Sequence, residues 1–177
     1  TNLLVSMADE AAIGRSITAQ LATLQDKHFA IVKALIGVQL QNPVLTKLKL
    51  FFNELEDILQ GVSSLQELTP KTRDLILSYG ERCSTYMVSK IAEQYFHESL
   101  FVDATELIKT DSNFGQAHVN MVLTEGLIRS FHQNHLDKLL FVTGFIASND
   151  EGKITTLGRG GSDYTAAIFG AALNATE

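Results

Sequence analysis

Residues 155–167 have the sequence TTLGRGGSDYTAA, and this stretch decides the fold of the chain. Residues 154–157, at its start, are apolar or β-branched, which is typical of a strand. Residues 164–173 are apolar and rich in alanine, which favours a buried helix. The glycines between them permit positive φ angles and a close approach of the backbone to a ligand. The stretch therefore predicts a strand, a glycine turn and a helix that begins near Ser162 or Asp163.

The glycine turn, residues 158–163, is a natural site for an anion. The first amides of a helix have no intrahelical acceptor and lie at the positive end of its dipole. Arg159 adds a guanidinium that matches a carboxylate or a phosphate with two parallel hydrogen bonds. The glycine spacing does not fit the dinucleotide fingerprint, and no Gly-Lys-Ser/Thr follows as in a P-loop. A turn without function is the simpler interpretation of a glycine cluster, but Arg159 and the Ser162–Asp163 pair favour a binding site.

Composition bounds the class of protein. The 177 residues suit one domain, and 45% hydrophobic with 19% charged residues is typical of a globular chain. The net charge of −6 argues against nucleic acid or an anionic membrane as a partner, because phosphate neutralisation needs a basic face. A single cysteine, Cys83, fits a reducing compartment, and no apolar run is long enough to span a membrane. We therefore expect a cytoplasmic protein without nucleic-acid or membrane partners.

The first part of the chain predicts helices. Residues 2–12 form one, and apolar residues at three- and four-residue spacing over 16–66 indicate two long amphipathic helices in an antiparallel hairpin. Ser16 is a plausible N-cap of the first, Pro43 is placed to open the second, and Gly61 to end it. Their apolar stripes favour internal packing over a free coiled-coil partner, because each run is short.

The remainder, residues 69–177, predicts an α/β unit with a largely parallel sheet, because strands and helices alternate. Its elements are helices over 70–95 and 117–131, and strands over 100–103, 139–146 and 154–157. Turn residues at 148–152 join the last two strands as a hairpin.

Glu81 lies on the flank of the apolar stripe of the 70–95 helix, beside Gly80. A glutamate there is usually a solvated edge residue. The functional interpretation is a carboxylate next to a glycine gap, which a small ammonium group could approach.

The other reactive side chains do not form a predicted site. The histidines are scattered, at positions 28, 97, 118, 132 and 135, and lack partners at metal-ligand spacing. Cys83 lies on an apolar helical face, so we expect an inert core thiol. We therefore predict no bound metal in the chain itself.

The motifs together resemble a known family. The stretch Thr156–Ala167, the Gly-Glu-x-x-Ser pattern at 80–84, the VTGFI sequence at 142–146 and the opening TNLL at 1–4 resemble, in order, the aspartate kinases of the amino-acid kinase superfamily. The resemblance covers essentially the whole chain. Within the family it points to an aspartate kinase, with the amino-terminal part of a bifunctional aspartokinase–homoserine dehydrogenase as one source.

The resemblance implies a fold and a reaction. The fold is a largely parallel sheet sandwiched by helices, with residues 16–66 as a helical hairpin insertion. The reaction is the ATP-dependent conversion of L-aspartate to 4-phospho-L-aspartate, which leads to lysine, threonine and methionine, with Mg²⁺ accompanying the nucleotide. A carboxylate acceptor needs no general base, because it is ionised at neutral pH. A cytoplasmic homo-oligomer is the implied setting.

The resemblance also assigns residues. Arg159 pairs with a substrate carboxylate, Glu81 pairs with the substrate ammonium, and Thr1 and Ser162 hydrogen-bond the substrate. Gly160 and Gly161 belong to the same binding loop, and Asp163 organises the catalytic centre.

The sequence departs from the family pattern in two places. The opening Lys-Phe-Gly-Gly-Thr-Ser strand with its catalytic lysine and the nucleotide-binding segment after the last helix have no match in the sequence. We therefore expect a fragment of a catalytic domain that is inactive alone, with an exposed sheet edge or apolar face that tends to pair with another copy. Two alternatives stay open: another amino-acid kinase, such as acetylglutamate kinase, or a non-catalytic fragment that only folds or dimerises.

Overall fold

Four helices precede a region of short strands and two further helices. The computed structural model describes residues 1–96 and 98–176, so His97 and Glu177 lie outside the described residues. The helices are α1 (Asn2–Ala12), α2 (Thr18–Leu35), α3 (Val38–Leu65), α4 (Pro70–Ala92), α5 (Met121–Gln133) and α6 (Gly161–Leu173). The strands are β1 (Ser99–Val102), β2 (Lys109–Thr110), β3 (Leu139–Val142), β4 (Ile146–Asn149) and β5 (Ile154–Thr156).

Helices α1 to α4 enclose one hydrophobic core. Met7 from α1, Leu48 and Phe52 from α3, and Ile76 from α4 are completely or almost completely buried in it. The two residues Ile36 and Gly37 join α2 to α3, which pack together as the predicted helical hairpin. The hairpin is therefore part of a four-helix core rather than a free projection.

Three predicted details of the hairpin are wrong. Helix α3 begins at Val38, so Pro43 lies inside it, and the helix continues through Gly61. The side-chain amide of Gln41 donates to the carbonyl of Ile36 at 2.8 Å, which allows α3 to begin directly after α2. Beyond Gly61, burial of Val62 outweighs the low helix propensity of glycine, which is about 1 kcal/mol. Ser16 does not cap α2, because Ile17 occupies the N-cap position.

The strands form two small sheets. β1 and β3 pair in parallel, from Ser99 opposite Leu139 to Val102 opposite Val142. In the second sheet β4 lies between β2, which is parallel to it, and β5, which is antiparallel. The mixed α/β class with mainly parallel pairing is as predicted, and β4 and β5 form the predicted hairpin.

The predicted strand over 139–146 is broken in the structure. β3 ends at Val142 and β4 begins at Ile146 in the other sheet. The hydroxyl of Thr143 accepts a hydrogen bond from the amide of Ala104 at 2.8 Å, and the amide of Phe145 donates to the hydroxyl of Thr165 at 3.1 Å. Phe145 has a φ of 68°, a left-handed conformation incompatible with a continuous strand. These non-local contacts turn the chain from one sheet into the other.

The second core lies between the sheets and helices α5 and α6. Ile108 and Ala147 contribute from the sheet side, Ile128 from α5 and Ile168 from α6, all with at most 1% of their surface exposed. Helix α4 borders this unit as well, since it contacts β1, β3 and β5. α4 is thus the element that connects the helical core to the sheets.

One edge of β3 is open. Within residues 1–96 and 98–176, β3 has β1 as its only partner strand. An open groove beside it is lined by Thr85 and Val88 of α4 and by Leu140 and Val142 of β3. This agrees with the expected exposed sheet edge, while pairing with another copy stays a prediction. In the described part of the chain, no helix combines the length and apolar character needed to cross a membrane.

Candidate substrate site

The glycine turn between β5 and α6 is tightly folded. Gly160 adopts a φ of 75°, which favours glycine, and helix α6 begins at Gly161, one residue before the predicted start. A Cβ atom at Gly161 would lie 2.8 Å from Cδ2 of Phe145, so the close packing of the turn on Phe145 requires a glycine there. The amide of Tyr164 donates to the carbonyl of Gly160 at 2.9 Å. The amides of Ser162 and Asp163 precede this first helical bond, at the positive end of the helix dipole.

A cavity of about 210 Å³ lies at this turn. Every residue that the sequence assigned to the site lines it, from three separate parts of the chain. The lining residues are Thr1, Glu81, Phe145, Gly158, Arg159, Gly160, Gly161, Ser162 and Asp163. The chain therefore folds so that the start of α1, the middle of α4 and the glycine turn meet at one cavity.

The cavity is lined by opposite charges. Glu81 is half-buried and Arg159 is exposed. Within residues 1–96 and 98–176, neither side chain forms a salt bridge with another residue. Burial raises the pKa of the Glu81 carboxyl above its ordinary value. A carboxylate and a guanidinium at one cavity, neither engaged in a salt bridge within the described part of the chain, suit a ligand that carries both an ammonium and a carboxylate.

Gly80 has a different role from the predicted one. A Cβ atom at Gly80 would lie 3.0 Å from Cδ1 of Leu4, so the space beside Gly80 is filled by α1 and does not receive a ligand. The small residue lets α1 approach α4 closely. This contact brings Thr1, at the N-terminus of α1, to the same cavity as Glu81.

A second, larger cavity of about 600 Å³ adjoins the first. Glu81 and Ser162 line both cavities. The walls of the larger one are mainly apolar, with Val142 from β3 and Phe169 from α6, and Lys138 contributes a positive charge. The site is therefore a charged pocket that continues into a wider, more apolar space.

Sequence reasoning missed two residues of this region. Phe145 lies in the VTGFI sequence, but its part in the wall of the cavity depends on its left-handed backbone, which no sequence signal indicates. Asp74 lies seven residues before Glu81 on α4, close to two helical turns, and this spacing on one helical face was the available signal.

Asp74 is buried, and both of its carboxylate oxygens accept hydrogen bonds. One carboxylate oxygen accepts from the amide of Gly115 at 2.8 Å and from the amide of Thr156 at 2.9 Å. The other accepts from the hydroxyl of Thr156 at 2.8 Å. Burial raises the pKa of this carboxyl, and the three hydrogen bonds act against the rise. Asp74 thus attaches α4 to the end of β5, directly before the glycine turn.

Cys83 is an inert core thiol, as predicted. It is 1% exposed, and burial raises its pKa to about 12. Among the described residues, no three His, Cys, Asp or Glu side chains are grouped so that they could hold a metal ion. The chemistry of the region therefore lies in the charged cavity at the glycine turn.

Comparison with known proteins supplies the family. Residues 6–177 match the family model described as the amino acid kinase family. The chain belongs to this family. It is 31% identical, over its full length, to lysine-sensitive aspartokinase 3 of Escherichia coli (strain K12). It is 26% identical over 99% of its length to the bifunctional aspartokinase/homoserine dehydrogenase of Buchnera aphidicola.

A solved relative has the same fold. The crystal structure of E. coli aspartokinase III in complex with aspartate and ADP superposes on 99% of the chain, with a TM-score of 0.90 and 27% identity. The chain covers 38% of aspartokinase 3 and of that crystallised chain, and 22% of the Buchnera protein. Most of the length of these relatives is thus outside the matched region.

Proposed function

We propose that the protein carrying this chain is an aspartate kinase, which transfers the γ-phosphoryl group of ATP to the side-chain carboxylate of L-aspartate. The product is 4-phospho-L-aspartate. The observation that carries the proposal is the 210 Å³ cavity, which is lined by Glu81, Arg159 and the N-terminus of α6. Relatives named as aspartokinases, one of them crystallised with aspartate and ADP, support the same substrates.

The cavity matches the charges of free aspartate. The Glu81 carboxylate accepts hydrogen bonds from the ammonium group, and the planar guanidinium of Arg159 pairs with a carboxylate. The hydroxyls of Thr1 and Ser162, which line the same cavity, donate hydrogen bonds to the remaining oxygens. The amides of the glycine turn hold an anion at the positive end of the α6 dipole. Each charge of the amino acid thus has a complementary group.

Phosphoryl transfer to a carboxylate requires positioning and charge neutralisation rather than a general base. The acceptor is already ionised, so its oxygen attacks the γ-phosphorus directly and the bond from phosphorus to the bridging oxygen of ADP breaks. Arg159 and the turn amides offset the negative charge at the acceptor end. Asp163, on the first turn of α6, is exposed and lines the cavity, where it organises the cationic groups around the transferred phosphoryl.

Mg²⁺ fits this proposal as a companion of ATP. Mg²⁺ is commonly bound through one or two carboxylates together with substrate phosphates, and Asp163 is a carboxylate beside the turn. When bound, the ion neutralises phosphate charge. The grouping of metal ligands that a protein-only site requires does not occur in the described residues.

A substrate panel on the intact protein tests the proposal. Purified protein is incubated with Mg-ATP, hydroxylamine and one of four acceptors: L-aspartate, L-glutamate, N-acetyl-L-aspartate or N-acetyl-L-glutamate. We expect the hydroxamate from L-aspartate and none from the two N-acetylated acceptors, because acetylation removes the ammonium that Glu81 binds. Product from L-glutamate in place of L-aspartate would assign the cavity to the longer amino acid. Product from N-acetyl-L-glutamate without product from L-aspartate would replace the proposal with the acetylglutamate kinase alternative. No acyl phosphate from any acceptor would favour a non-catalytic role.

A further inference from the structure

We propose that Asp74 is a positioning residue for the substrate site: it fixes the base of the glycine turn to helix α4, so that Arg159 is held in place relative to Glu81. The kinetic test of this proposal rests on the proposed function, because Asp74 is inferred to act on the same aspartate site. Asp74 touches neither cavity, so its effect passes through the backbone that it binds.

Two of the three hydrogen bonds of Asp74 come from one residue, Thr156. Thr156 is the last residue of β5, two positions before Gly158, and both its amide and its hydroxyl donate to the Asp74 carboxylate. On the other side, the carbonyl of Thr156 accepts from the amide of Ala117 at 2.9 Å. Thr156 is therefore held at all three of its polar groups at the point where the strand leads into the turn.

Asp74 also holds the segment that packs on the turn. Its carboxylate accepts from the amide of Gly115, and the carbonyl oxygen of Gly115 would lie 3.3 Å from a Cβ atom at Gly158. The same carboxylate thus fixes the strand before the turn and the backbone packed against it. A carboxylate with 1% of its surface exposed is costly to bury, and a fully apolar helix face would pack α4 without that cost.

Asp74 lies on the same helix as Glu81, and this links its contacts with the glycine turn to the substrate site. Asp74 and Glu81 are seven residues apart on one continuous helix, so their separation is set by helical geometry. Glu81 reaches the cavity from α4, and Arg159 reaches it from the turn that Asp74 holds. The distance between the two charges that bind the amino acid is therefore fixed through Asp74.

Three variants of the intact protein test the proposal. Asp74→Ala removes all three hydrogen bonds. Asp74→Asn can keep three hydrogen bonds. Its side-chain carbonyl accepts from the two backbone amides, and its side-chain NH2 group donates to the Thr156 hydroxyl. Ile76→Ala, in the helical core on the same helix, is a control that destabilises α4 without contacting the turn. Should Asp74→Ala fail to fold, Thr156→Val takes its place, because it loses one of the three bonds.

The kinetic readout is the KM for aspartate against the KM for ATP. Asp74→Ala should raise the KM for aspartate about tenfold or more and leave the KM for ATP within about twofold. Asp74→Asn should stay within about threefold of wild type for both, and Ile76→Ala should leave both KM values unchanged. With Thr156→Val the aspartate KM should rise about threefold. The proposal would be overturned if the KM for aspartate rose equally in Asp74→Ala and Ile76→Ala. It would also be overturned if this KM did not rise in Asp74→Ala, or in Thr156→Val where that variant takes its place.

Amide hydrogen exchange separates this proposal from the proposed function. In Asp74→Ala, or in Thr156→Val, the peptide that spans residues 156–161 should exchange faster than in Ile76→Ala. If the wild-type protein makes no aspartyl hydroxamate, the proposed function fails and the exchange readout alone decides. Unchanged exchange over 156–161 would then overturn the positioning role.

Discussion

Arg159 and Glu81 line one cavity, so the first predictions belong to single residues. Arg159→Ala removes a charge-assisted pair with a substrate carboxylate, and such pairs contribute about 1.5–3 kcal/mol. We expect kcat/KM for aspartate to fall at least about tenfold. Arg159→Lys should restore only part of it, because lysine lacks the planar fork. Arg15→Ala, at an exposed surface pair with Glu10, is the matched control. Kinetics like wild type in a folded Arg159→Ala protein would contradict the assignment.

Glu81 should make aspartate binding depend on pH. Its pKa is raised by burial above the ordinary 4.5, and only the ionised form pairs with an ammonium. We therefore expect kcat/KM for aspartate to be full above this raised pKa and to fall as pH drops through it. Glu81→Gln should lower kcat/KM for aspartate more than that for ATP, and should remove this limb of the pH profile. An unchanged acid limb in Glu81→Gln would assign it to another group.

Cys83 should be unreactive while the protein is folded. With a pKa of about 12 and 1% exposure, it has almost no thiolate at pH 8 and little access to reagent. We expect a maleimide to label Cys83 only after denaturant unfolds the protein, as followed by intact mass. Rapid stoichiometric labelling of the native protein would show that α4 opens without global unfolding.

At this scale the sequence predicted the residues but not their surroundings. Glu81, Arg159 and Ser162 belong to short local motifs, which are visible without a structure. The partner of Gly80 is Leu4 of α1, and the partners of Asp74 are Gly115 and Thr156. Those contacts join residues far apart in sequence, and periodicity within one segment carries no information about them.

Among the elements, the ion pair between α4 and the end of β1 offers a further prediction. Arg82 Nε donates to Asp103 Oδ2 at 2.8 Å, and the two side chains are only 16% and 17% exposed. Loss of either partner leaves a partly buried charge, so Arg82→Ala should lower the free energy of unfolding by about 1–3 kcal/mol. Asp103→Ala should cost more, because Asp103 also accepts from the amide and hydroxyl of Thr105.

Urea denaturation of both single variants and the double variant measures the coupling between the two residues. The exposed pair of Arg73 and Asp9 is the control, with an expected coupling of at most about 1 kcal/mol. Additive losses from Arg82→Ala and Asp103→Ala would mean that the two side chains do not stabilise each other.

The elements themselves were predictable where their pattern is local. Thr69, directly before Pro70, caps α4 by accepting from the amide of Thr72 at 3.1 Å, a signal that is local in the sequence. The apolar run at 139–146 has the composition of one strand, yet it divides between two sheets. The division depends on hydrogen bonds to Ala104 and Thr165, which lie 39 and 20 residues away from their partners. Such a break cannot be read from composition.

For the whole molecule, α4 joins the helical core to the sheets, so we expect the two parts to unfold together. Leu55→Ala lies in the helical core and should lower the free energy of unfolding by about 2–5 kcal/mol. The slowest-exchanging amides of β4, in the other core, should then be destabilised by the same amount. A loss confined to the α1–α4 amides would show that the two cores unfold separately.

At this largest scale the patterns and the resemblance contributed different things. Alternating elements predict the α/β class, apolar periodicity predicts the helical hairpin, and the family resemblance added the expectation that the hairpin is an insertion in one catalytic domain. Neither predicts that α4 serves both cores, because that arrangement depends on which faces of one helix meet α3 and which meet β5.

The seven-residue interval between Asp74 and Glu81 limits how this chain can change in length. One inserted residue between them would rotate Glu81 by about 100° around the helix and shift it by about 1.5 Å, which turns it away from the cavity. The two-residue connection between α2 and α3 has no such constraint from the cavity, because neither helix lines it. Insertions and deletions should therefore be absent from residues 74–81 in functional variants, whereas a change of length at Ile36–Gly37 should act on the packing of buried Ile36 rather than on the cavity.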